Sequence, residues 1–195
     1  DATSGAIVIA DVSGEKPDEV ARVSYPGYLV ESRLVGTDLY LVSRIADAAG
    51  RSGLVVSSYD LGDPAKPVLR DRIEVGAWGS VVAATDRFLF VVRAAENWRR
   101  SVVEVIDISA PDGSLVKRGQ VSVAGRIPDK FKLQLKGDIL TVVSEVPRNW
   151  SGNASAPENL SRTMVESFSL AQPETPVALG SLEIGVGETL FATRY

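Results

Sequence analysis

The chain has 195 residues, 45% hydrophobic and 24% charged, with a formal net charge of −4. That balance excludes a disordered chain, and the lack of any Lys/Arg run excludes a nucleic-acid groove, which needs clustered cations against phosphate. With no cysteine and no histidine, disulfide frameworks, thiolate or imidazole metal sites and Ser-His-Asp or Cys-His catalysis all drop out.

No apolar stretch approaches the roughly 18 residues of a spanning helix, so no membrane span is expected in this segment. The first residues, from Asp1, hold neither a charged leader nor an apolar signal region. The segment is therefore expected to be cytoplasmic or a mature or trimmed piece, and the repeats described next favour a trimmed piece.

In chain order, "IADVSGEKPDEVARVSYPGYL" predicts strands over about 6–13 and 20–26. "YLVESRLVGTDLYLVSR" follows, two β-rich runs around a short turn ending in Asp38, and then "SYDLGDPAKPVLRDRIEVGAW", an apolar strand, a turn and an alternating strand. The same pair returns as "AWGSVVAATDRFLFVVRA", turning at Asp86, with "VIDISAPDGSLVKRGQVSVAG". It returns once more as "DKFKLQLKGDILTVVSEV", turning at Asp138, with "SFSLAQPETPVALGSLEIGVG". Asp11, Asp60 and Asp107 occupy one position of this repeat, and Ser169 takes it in the last copy after a polar insertion.

Four short antiparallel strands per period, here called a to d, are what a β-propeller blade requires. The expected fold is all-β: a propeller segment of four-stranded antiparallel blades forming an incomplete ring. A half blade covers 6–27, blades cover about 28–75, 77–123 and 129–184, and the first strand of a next blade covers 187–195. Pro64 and Pro67, repeated as Pro173 and Pro176, fix φ in the c to d turns and withhold donors from outer edges, while Gly113 serves the third turn. Gly76 and Gly79 are expected to ease the chain from strand d into the next strand a.

"DLGDPAKPVL", "IDISAPDGSLV", "YLVESRLVGTDLYLVS" and "GETLFATRY" resemble bacterial secreted proteins with a C-terminal β-propeller domain, distantly related to WD-repeat proteins. The resemblance covers essentially the whole chain, and Ser169 departs from it where an Asp belongs. It implies an exported protein, secreted or in the cell envelope, whose remaining blades lie in chain outside this segment. It supplies no catalytic residues.

In such a fold the b to c and d to a loops share one face. Trp78, Trp98 and Trp150 all map there, with Asn97, Arg99, Arg100, Arg148 and Asn149 beside them. Indoles with arginine neighbours suit stacking on a sugar ring or holding a peptide, and the competing reading is that they cover blade ends. Glu31, Arg33, Lys130, Lys132, Gln134 and Glu188 are placed toward the channel or into blade contacts. The repeated Asp of strand c suits an Asx turn better than calcium, the one cofactor these residues leave open.

"PRNWSGNASAPENLSR" reads as a polar loop with sequons at Asn149, Asn153 and Asn159, which the bacterial resemblance turns into coincidence. "GVGETL" is a turn, not a phosphate cradle, and nothing in the sequence pairs Glu96 with Glu145 for acid/base work. The expected function is a non-catalytic exported module that binds protein, peptide or glycan or serves as scaffold. The alternatives are a propeller hydrolase or lyase using carboxylates and arginines at the channel mouth, and a purely structural support.

Overall fold

A computed structural model of the chain describes residues 4–46, 52–76, 79–95, 99–149, 159–188 and 193. The described residues form an all-β protein: one two-stranded and three four-stranded antiparallel sheets, with no α-helix. Strands β1 (Ser4–Asp11) and β2 (Asp18–Pro26) pair with each other. The first four-stranded sheet holds β3 (Tyr28–Val35), β4 (Asp38–Ala46), β5 (Ser52–Asp60) and β6 (Val68–Glu74). The second holds β7 (Gly79–Ala84), β8 (Phe88–Ala94), β9 (Ser101–Asp107) and β10 (Val116–Ser122). The third holds β11 (Leu133–Lys136), β12 (Ile139–Val146), β13 (Arg162–Ser169) and β14 (Val177–Val186). In every sheet spatial order equals chain order, which is a simple meander.

The sequence explains the meander. In the first two four-stranded sheets the second strands carry continuous apolar runs, "LYLV" and "FLFVV", buried on both faces, and the third strand "VVEVI" is buried apart from Glu104, which pairs with Arg93. The fourth strands are open to solvent, and β14 is exposed along nearly all its length. Short turns between the first and second strands force those neighbours to pair.

Between first and second strands, Gly36 and Gly137 take φ of 59° and 58°, the left-handed region only glycine enters freely. The second sheet has no glycine there, and Thr85 substitutes with its hydroxyl: Oγ1 accepts from the backbone N–H of Arg87 at 3.3 Å and of Phe88 at 2.9 Å. Between third and fourth strands, each turn closes by a backbone bond, from Lys66 to Asp63, Gly113 to Ala110 and Thr175 to Gln172. Pro64, Pro111 and Pro173 occupy the second position of those turns, where a fixed φ suits the bend.

Two differences from expectation have local causes. β1 and β2 each begin two residues earlier than the apolar pattern suggests, because pairing continues from Asp11↔Asp18 out to Ser4↔Pro26. The strand expected from 129 starts at Leu133 instead, because Lys130–Lys132 forms a 3₁₀ turn whose entry Asp129 caps by accepting the Phe131 N–H at 2.8 Å. Of the strand expected from 187, Gly187 and Glu188 form a bend and an irregular step, and 189–192 lie outside the described residues.

The chain divides into two compact units. In the first (1–80, 84–89 and 107–116), β1–β2 covers one face of β3–β6: Val23, Leu39, Leu41 and Tyr59 form a buried cluster flanked by Ile7, Ile9, Tyr25 and Leu61. The Tyr59 hydroxyl donates to the Ser24 carbonyl at 3.0 Å, so its polar end is satisfied. In the second unit (81–83, 90–106 and 117–195), the core holds Phe90, Val91, Val103, Val105, Leu140 and Val142, each at most 1% exposed.

Candidate functional site

The irregular connections of the second unit require the most explanation, because buried backbone needs partners outside a strand ladder. Between β10 and β11 that need is met residue by residue. The Ala124 N–H donates to a Glu166 carboxylate oxygen at 2.9 Å, and the Gly125 N–H to Ser144 Oγ at 3.2 Å. Ser144 in turn donates to Glu166 at 3.3 Å, and the Ile127 N–H reaches Ser101 Oγ at 3.0 Å. Gly125 has no room for a Cβ, which would run into the backbone of Glu145.

This clamp brings Arg126 and Glu145 into register, where each donates its N–H to the other's carbonyl at 2.8 Å. Such an antiparallel pair sends both side chains to one side. Pro128 follows Arg126 after one residue and Pro147 follows Glu145 after one, stiffening both segments. Across from them Gly187, at φ 74°, donates to the Ser161 carbonyl at 2.7 Å and turns the chain toward Glu188.

A cavity of about 170 Å³ opens here, with Arg126, Glu145, Arg162 and Glu188 as its charged lining and Pro128, Val146 and Pro147 as apolar wall. Arg162 pairs with Glu183 at 3.4 Å. The Arg126 guanidinium and the Glu188 carboxylate have no ionic partner among the described residues. One cation and one anion of the lining thus remain available.

Of the expected site residues, Trp78, Asn97, Trp98 and Trp150 lie outside the described residues. Arg99 is exposed, and its Nη2 donates to the carbonyls of Pro147 at 3.2 Å and Arg148 at 3.5 Å. It therefore joins the β8–β9 loop to the one after β12. Arg148 and Asn149 are half-buried, and the Asn149 N–H donates to the Asn159 carbonyl at 2.9 Å, closing the base of the polar loop. Arg99, Arg148 and Asn149 are thus brought together, beside the cavity's Pro147.

Among the channel candidates, Glu31 and Arg33 pair at 2.8 Å and Lys130 lies 5.6 Å from the centre of the Phe131 ring. Lys132 is 1% exposed and pairs with Asp129 at 3.2 Å. Gln134 is half-buried, and Glu188 lines the cavity. The sequence did not single out Arg126 or Arg162. The prolines at 128 and 147 mark the segments of Arg126 and Glu145, but not that the two residues oppose each other.

The repeated strand-c aspartates make Asx turns. Asp11 accepts the Ser13 N–H at 2.8 Å, Asp60 that of Gly62 at 2.7 Å and Asp107 that of Ser109 at 3.0 Å, while Ser169 Oγ accepts from Ala171 at 3.4 Å. Among the described residues no three His, Cys, Asp or Glu side chains are grouped to hold a metal ion.

At Asp60 the other carboxylate oxygen takes Arg70 at 2.5 Å, and that bond, then the Gly62 N–H, holds its pKa below the usual carboxylate value. Neighbouring Asp38 is pushed the other way, by burial first and by the Asp60 charge second. Burial likewise pushes the Tyr40 phenol up to about 12, with Asp38 adding to the shift. Comparison with family models, curated proteins and solved structures finds no match to this chain.

Proposed function

We propose that the chain is a β-propeller segment of an exported protein, acting as a non-catalytic module that binds a partner through its b to c loop face. Three four-stranded meanders in chain order, with matching turns, support the blade reading. The exported setting rests on the sequence resemblance alone. The single observation that carries the binding reading is the charged cavity beside Pro147, at the loop end where Arg99 joins two successive loops and the sequence places Trp150.

The test is binding of the purified chain to glycan and peptide arrays, compared with Trp98→Ala and Trp150→Ala variants. A reproducible ligand weakened about tenfold or more by either variant, at unchanged melting temperature, supports the module; an indole in a desolvated contact is worth that much. A wild-type chain that retains nothing, or variants that bind as it does, leaves a scaffold role in its place.

A further inference from the structure

The cavity's charge pattern narrows what fits it. Its volume, about 170 Å³, falls below the roughly 300–1,000 Å³ of sites for drug-sized ligands. It therefore suits one small molecule and not an oligosaccharide. Of its four charged groups, Arg162 is engaged elsewhere, by Glu183. The Arg126 guanidinium and the Glu188 carboxylate retain their full capacity among the described residues.

A guanidinium presents a planar fork that matches a carboxylate, and a carboxylate accepts from an ammonium. A ligand carrying only one charge would leave the other group without a partner. In the same lining, Pro128, Val146 and Pro147 offer an apolar surface. The ligand that uses all three features is a small zwitterion with an apolar side group.

We propose that this cavity binds a free α-amino acid of modest apolar side chain, its carboxylate on Arg126 and its ammonium on Glu188. The proposal rests on reading this loop end as a binding face, and it gives that face a small-molecule ligand. The backbone bridge from Arg126 to Glu145 fixes where the guanidinium starts, so recognition needs only side-chain adjustment. Both key side chains are exposed, so replacing them leaves the core intact.

The experiment is calorimetric titration of the chain with L-leucine, with leucinamide, which lacks the carboxylate, and with N-acetyl-leucine, which lacks the ammonium. L-leucine is expected to bind about tenfold or more tightly than either analogue, since a charge-assisted bond contributes that factor. Arg126→Gln should weaken leucine and N-acetyl-leucine while sparing leucinamide, and Glu188→Gln should do the converse. Equal affinity for all three ligands, or leucine binding indifferent to both variants, overturns the proposal. If the chain takes a glycan or peptide through its tryptophans but not leucine, the cavity proposal fails while the module reading stands. If leucine binds with this variant pattern and no array ligand is found, the loop end stands as a binding face for a small molecule, and its reading as a glycan or peptide site falls.

Discussion

At the scale of single residues, Asp38 and Asp60 show how two carboxylates in register on paired strands divide their roles. Arg70 and the Gly62 N–H favour the Asp60 anion, so its contribution to stability is present above the ordinary value of 3.8 and is lost as pH falls through its depressed folded pKa. Asp38 has the opposite sign. Its folded pKa lies above 3.8, so its favourable state is the protonated one, and stability is lost as pH rises through that raised value. Asp38→Asn should therefore raise the melting temperature at pH 7, and the gain should shrink to nothing below about pH 3.8, the ordinary value. Thermal melts of both proteins across pH 3 to 7 check this; a gain that persists unchanged at the acid end would mean packing, and not charge, sets the difference.

At the scale of elements, the turns are the part of the fold most openly written in the sequence. Gly36, Gly137, Pro64 and Pro173 act through their own backbone limits, so a local reading finds them. Replacing Pro64, Pro111 or Pro173 by Ala should each cost about 0.4–1 kcal/mol through the freer unfolded chain. The three effects should add, because each turn closes on itself; urea unfolding of the single and triple variants measures this, and strong non-additivity would show that the turns are not independent. The start of β11 was not legible, because one side-chain cap from Asp129 outweighs the propensity of "DKFKLQL" for a strand. The cavity was hidden for a different reason. Arg126 matters because it opposes Glu145, and that register depends on Ser144, beside Glu145 on β12, and on Glu166 of β13. No local periodicity carries such information, whereas Arg99, Arg148 and Asn149 were found because they flank tryptophans in recognisable loops.

For the whole molecule, the residue types missing from the sequence matter as much as those present. Without histidine or cysteine, side chains offer no ordinary titration between about pH 6 and 8. The melting temperature should hold within about 2 °C across that range, since stability follows pH only where protons are taken up or released. A scan in matched ionic strength tests it, and a transition centred near pH 7 would require a carboxylate or amine displaced far from its usual range. Reducing agents should likewise leave the melt unchanged.

The backbone bridge beneath the cavity has a kinetic meaning. Arg126 and Glu145 are held by two mutual bonds and by a glycine with no space to change, so this wall stands ready before any visitor arrives. A socket of that kind needs no opening step, and encounter is governed by diffusion and by the field of its two charges. What distinguishes one occupant from another is then how long it stays, and substitutions along the rim would tune departure far more than arrival.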